Sequence, residues 1–279
     1  MSALNHALST ISAGGFSTFN NSAAHFESPA VEGWMTFFMV LTGGNFGLYY
    51  RVYQKGLAVL KQDTEFKAYL LILGGATMMT GLNLLYAFDV TWSTALRYAS
   101  FQVASIATTG FVSADYDIWP AFSKNILLLL MISGGCAGST AAGIKISRVV
   151  ILVKALRLMV YQKLHPQMAV RLQMNGRTIS ADTIHLVGRF FFVYMLFIVW
   201  WALLLTLDGI NVFDAIGISV TTMGCIGPAF GITGATSTYA GLSVFSKTIL
   251  CMSMLLGRLE IFTVLVMLQR SFWKSKGLW

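Results

Sequence analysis

Three short runs of small residues could hold a cation without any acidic side chain. They are Thr10-Ile11-Ser12-Ala13-Gly14-Gly15-Phe16, Ser105-Ile106-Ala107-Thr108-Thr109-Gly110-Phe111 and Ser219-Val220-Thr221-Thr222-Met223-Gly224-Cys225. They align without gaps and bring Gly15, Gly110 and Gly224 into register. The chemistry would be that of the backbone. Non-helical backbone at membrane depth survives only where it lines a cavity or is packed in protein. Its carbonyl oxygens can then replace the water shell of a cation, and glycine supplies the dihedrals that turn successive carbonyls toward one axis. A short helix entering from outside adds a partly negative C-terminal end at the membrane centre. An anion site would instead want helix N-termini or basic side chains. One such run alone reads better as a turn between helices; three aligned copies argue for a shared task.

A second set of residues could control passage. Ser133-Gly134-Gly135-Cys136-Ala137-Gly138-Ser139-Thr140-Ala141-Ala142-Gly143 interrupts an apolar stretch and should break a helix. Close helix packing by small residues is the plain reading. A rearrangeable intramembrane loop beneath the cation turns is the sharper one. Lys145 follows directly and either snorkels to the interface or takes part in gating. Arg258 lies near the middle of an apolar stretch, where an unpaired charge costs on the order of 3 kcal/mol or more. It either forms an ion pair, with Glu260 of another helix as an example, or limits cation residence near the pore. Asn45 and Asn83 read as interhelical hydrogen bonds, and Asp115 and Asp117 as outer-mouth acids.

The elements that must position these residues are membrane helices. Hydrophobic residues make up 56% of the 279 and charged ones 11%, against about 25% in an ordinary soluble domain. That excludes a soluble enzyme, a disordered chain and a secreted disulfide scaffold. Apolar stretches long enough to cross a bilayer lie at roughly 33–53, 68–88, 125–153, 186–207 and 245–269. Lys and Arg concentrate between the first and second stretches, between the third and fourth, and after the fifth (Arg270, Lys274, Lys276). That side is cytoplasmic, with the C-terminus inside and the N-terminus outside. Trp34, Tyr49, Tyr50, Trp92 and Trp119 read as an interfacial belt. The basic residues sit between apolar runs, so nucleic acid is not an expected partner. Cys136, Cys225 and Cys251 lack metal-ligand spacing, and His6, His25, His165 and His185 form no ligand motif. No HExxH, GxSxG or acid–base set suggests an enzyme.

These motifs resemble the Trk/Ktr/HKT superfamily of potassium transporters, most closely its bacterial Trk-type uptake subunit. The stretches that carry the resemblance are Ser9–Phe16, Ala104–Phe111, Ser219–Cys225, Gly134–Lys145 and Gly257–Phe262. The resemblance implies an all-α membrane protein of repeated helix–pore-loop–helix units around a central ion pore. Residues 1–55 would hold the pore loop and inner helix of the second unit, 65–160 the third unit and 185–275 the fourth. The N-terminal unit is absent from this pattern, which suggests a fragment, a truncated product or half of a split transporter. The filter backbone would be Ser12, Ala13, Gly14, Gly15, Ala107, Thr108, Thr109, Gly110, Thr221, Thr222, Met223 and Gly224. The gate would comprise Gly134, Gly135, Gly138, Ser139, Thr140, Gly143, Lys145 and Arg258. The resemblance also implies transported K⁺ and no cofactor, an inner-membrane location, a homodimer, and a cytoplasmic nucleotide-binding regulatory subunit docking on basic loop 148–177.

Overall fold

A computed structural model of the chain describes residues 1–165 and 171–274; Lys276 lies outside the described residues. The fold is almost wholly helical. In chain order it contains α1 (Ser2–Ile11), α2 (Pro29–Thr42), α3 (Phe46–Lys55), α4 (Ala58–Gln62), α5 (Thr64–Phe88), α6 (Trp92–Thr108), α7 (Ala121–Ser133) and α8 (Ile146–Leu164). A small antiparallel hairpin follows, β1 (Gln173–Met174) and β2 (Arg177–Thr178). The chain then forms α9 (Ala181–Thr206), α10 (Val212–Met223), α11 (Val244–Arg258), α12 (Ile261–Leu268) and α13 (Arg270–Lys274).

Among the described residues two helices, α5 and α9, are apolar and long enough to cross a membrane. Both start on a side-chain cap. Asp63 Oδ1 accepts from Phe66 N at 2.9 Å, and Ser180 Oγ accepts from Thr183 N at 3.3 Å. Each is followed by a shorter helix, α6 or α10, that packs back against it. From Phe101 to Thr108 every residue of α6 is buried, and so is α10 from Gly217 to Met223. Asn83 on α5 accepts from Ser123 Oγ on α7 at 2.7 Å, an interhelical bond.

The stretches 33–53 and 245–269 are not single spans. Gly43 and Gly44 end α2, and Asn45 restarts the chain as the cap of α3, its Oδ1 accepting from Leu48 N at 3.2 Å. Asn45 is thus a helix cap. At the other break, α11 and α12 meet at 110° across Leu259 and Glu260, with Glu260 at φ +61°. The third stretch breaks at its small residues: α7 stops at Ser133 and α8 begins at Ile146. All three stretches that follow a glycine turn are therefore interrupted. Trp119 leaves the interfacial set, because it is buried in the core beside Tyr116; Trp34, Tyr50 and Trp92 remain exposed.

Candidate ion pathway

Each glycine turn begins at the end of a short helix, and each is held by one hydroxyl from that helix. Ser9 Oγ accepts from Phe16 N at 2.7 Å. Ser105 Oγ donates to Phe111 O at 2.5 Å. Thr221 Oγ1 donates to Pro228 O at 3.0 Å. The same three residues offer their backbone carbonyls to Gly14 N, Gly110 N and Ile226 N. The residue just before each clamped position is a glycine with positive φ: Gly15 at +67°, Gly110 at +90° and Gly227 at +112°.

The gapless register of the third run therefore does not hold in the structure. Gly224 ends α10 in an ordinary right-handed conformation, φ −78°. Its place in the pattern belongs to Gly227, three residues on. Six residues separate hydroxyl and glycine in the first and third turns, and five in the second, so matching by count cannot find the register. The findable signal was Gly227-Pro228, a glycine followed by a bulky apolar residue, as in Gly15-Phe16 and Gly110-Phe111. Other expected turn residues lie on helices. Ala107 and Thr108 belong to α6, and Thr221, Thr222 and Met223 to α10. The non-helical stretches begin at Ser12, Thr109 and Gly224, with Ala13 at φ +54° between Ser12 and Gly14.

The turns abut one another in sequence. A Cβ on Gly15 would overlap Thr109 O, and a Cβ on Gly110 would overlap Ile226 O. Each glycine thus abuts the carbonyl that precedes the next glycine. Gly227 ends the series: it is exposed, and nothing lies within 4 Å of where its Cβ would stand. A cavity of about 680 Å³ opens there, between Ser12, Ala13, Gly14 and Phe16 on one side and Cys225, Ile226 and Gly227 on the other.

The interruption 134–145 lies directly beneath the turns and is held from every side. Thr140 Oγ1 donates to Ile11 O, the end of α1, at 3.4 Å. Cys136 N donates to Gly43 O at 2.8 Å, and Phe46 N to Gly138 O at 3.3 Å, joining it to the α2–α3 break. Gly134 and Gly143 meet at its neck, where Ile144 N donates to Ile132 O at 3.2 Å and Lys145 N to Ser133 O at 3.1 Å. Gly135 has no room for a Cβ, which would meet Gly43 O, Ala141 and Ser139. Ser139 Oγ closes a local turn onto Cys136 O at 2.6 Å. Lys145 does not reach out to the interface: its Nζ donates back to Ala141 O.

Arg258 is not mid-helix. It ends α11 at the 110° break, and its Nη1 donates to Thr140 O at 2.9 Å. Glu260 pairs with Arg148 on α8 at 3.0 Å instead. A pocket of about 190 Å³ beside the interruption is lined by Thr140, Lys145, Arg148, Arg258 and Glu260 among others. Asp117 spends its carboxylate on structure, accepting from Gly231 N at 3.1 Å. Burial holds its pKa above the ordinary carboxylate value.

Residues 1–275 match the family described as TrkH, cation transport protein. The chain belongs to this family. It is 33% identical over 278 residues to the Trk system potassium uptake protein TrkH of Halomonas elongata, covering 98% of this chain and 57% of that protein. The Escherichia coli protein of the same name is 32% identical over the same shares. The crystal structure of the potassium transporter TrkH from Vibrio parahaemolyticus superposes with a TM-score of 0.90 at 29% identity, covering 98% of this chain and 59% of that one. This TrkH-family chain thus spans somewhat under three fifths of the length of these relatives.

Proposed function

We propose that the chain supplies three of the filter segments of a potassium-uptake pathway in the inner membrane. The observation that carries this reading is the stacked series Gly15, Gly110, Gly227 with the clamped interruption beneath it. Backbone carbonyls of Ser12–Gly15, of the turn at Thr109 and Gly110, and of Gly224–Gly227 would face a dehydrated cation. Residues 134–145 form the gate, with Lys145 and Arg258 as the positive charges beside it. The open sector next to Gly227 fits a fourth filter segment, whether from an N-terminal stretch like that of the relatives or from a second polypeptide. A chain left without that segment does not conduct; this is the second reading, and the 680 Å³ opening favours it for the chain alone.

The test pairs two glycines. Gly227→Ser, expressed with the segments that complete the pore in a potassium-uptake-deficient strain, should lower the preference for Rb⁺ over Na⁺. A left-handed residue without glycine costs about 1–3 kcal/mol of local strain and moves the carbonyls with it. Gly224→Ser should leave that preference in place, whatever it does to yield. Selectivity that follows Gly224 and ignores Gly227 would return the third segment to the sequence register.

The family resemblance extends to a homodimer and a nucleotide-binding cytoplasmic partner. Arg157 and Lys163 are exposed along α8, and Arg171 is exposed just before the hairpin. Replacing all three by alanine should weaken capture of an acidic cytoplasmic regulator and steepen less with falling salt than the unaltered chain does. Unchanged capture at every salt concentration would remove this surface from the proposal.

A further inference from the structure

One buried carboxylate has no part in the pathway described so far. Glu65 lies in the first turn of α5 and is only 5% exposed. Its Oε1 accepts from Ala137 N at 2.5 Å and from Ser147 N at 3.1 Å. The Asn45 side chain lies near the same carboxylate. The two backbone donors belong to opposite ends of the interruption. Ala137 is inside it, and Ser147 is in the first turn of α8 beyond it. That turn lacks a cap of its own, since Lys145 occupies the cap position and makes no side-chain cap bond. The first N–H groups of a helix need acceptors, and its N-terminus favours a negative charge. Glu65 supplies both from another helix.

The stretch that carries Glu65 is itself tied to the cytoplasmic hairpin. Asn175, at φ +52° between β1 and β2, accepts from Thr64 N at 2.7 Å through its Oδ1. Its Nδ2 donates to Asp63 Oδ2 at 2.9 Å. Arg51 lies 3.6 Å from the same oxygen. A continuous chain of bonds therefore runs from the hairpin tip through Asp63, Thr64 and Glu65 to Ala137.

We infer that Glu65 is a positioning residue that latches the intramembrane loop 134–145 beneath the filter, and that the Asn175 hairpin holds the latch from the cytoplasmic side. The role assigned to the loop rests on the reading under Proposed function. Hydrogen bonds to a charged acceptor are worth roughly twice neutral ones. Removing the charge with the isosteric Glu65→Gln should therefore free the loop by about tenfold.

The test uses thiols the chain already has. Cys136 is fully buried within the loop, while Cys225 lies in the third filter turn. Full-length chain in inside-out vesicles, co-expressed with the segments that complete the pore, is treated with N-ethylmaleimide, and each cysteine is followed by mass spectrometry. In E65Q the modification of Cys136 should accelerate about tenfold with Cys225 unchanged, and Rb⁺ uptake should rise. Asn175→Ala, on the exposed hairpin, should do the same by a smaller factor. Equal acceleration at both cysteines would mean general loosening and would overturn the latch, as would an unchanged Cys136 rate in both variants. Faster Cys136 labelling with unchanged uptake would support the latch and remove the gate reading instead.

Discussion

In the chain co-expressed with the segments that complete the pore, alanine at Gly110 should abolish Rb⁺ uptake while the protein still inserts in the membrane. Two effects add at this position. The residue sits at φ +90°, where a side chain costs about 1–3 kcal/mol. The new Cβ would also overlap Ile226 O and press on Pro228 Cδ. Backbone cannot swing aside as a flexible side chain can, and overpacking of this kind costs about 1–3 kcal/mol more. The strain falls on the neighbouring turn, so two of the three glycine turns are displaced by one methyl group. Gly188→Ala is the matching control. Gly188 lies on α9, where nothing stands within 4 Å of an added Cβ and helix propensity improves. Uptake by G110A at the level of G188A, at equal amounts of inserted protein, would sink the assignment of Gly110 to the pathway.

Neutralising Arg258 should work in the opposite direction. Its guanidinium borders both the opening beside Gly227 and the pocket beneath the loop, and it holds Thr140 O at 2.9 Å. A monovalent cation about 8 Å away would be repelled by about 2 kcal/mol at an effective dielectric near 20. That corresponds to about thirtyfold in local occupancy, less whatever salt screens. With the segments that complete the pore co-expressed, Arg258→Gln should raise Rb⁺ uptake by roughly tenfold after that screening. Arg258→Lys separates charge from hydrogen bonding. If charge governs, the lysine variant stays near the unaltered rate; if the bond to Thr140 governs, it opens as the glutamine variant does, because an ammonium lacks the planar fork. A fall in uptake in R258Q, with the protein intact, would mean that Arg258 supports the pathway.

What the amino-acid pattern made legible follows from what physical signal each element carries. Residues 64–88 and 181–206 are apolar without a stop, so length alone marks them as spans. The α2–α3 and α11–α12 breaks escaped because hydropathy averages over a window. Gly43-Gly44-Asn45 is too short to lower that average, and the 110° bend falls within Arg258-Leu259-Glu260, equally short. The interruption at 134–145 was visible because eleven small residues in a row leave no other reading. The third glycine turn was misplaced by three residues, since the hydroxyl clamp fixes geometry and tolerates a change of count. Glu65 gave no signal at all. A carboxylate at the start of a span looks like any interfacial charge until the backbone it accepts from is seen.

The three interruptions, at 43–45, 134–145 and 259–260, lie side by side and are cross-linked to one another. The helices that follow the breaks, α3, α8 and α12, are thus joined to the glycine turns by two kinds of route. One runs through the bonds at the breaks themselves. The other runs through the unbroken helices, since α5 packs on α8, and α9 on both α8 and α12. A displacement that starts in α3, α8 or α12 therefore has a short path to the turns across the breaks and a long, stiff one through α5 and α9.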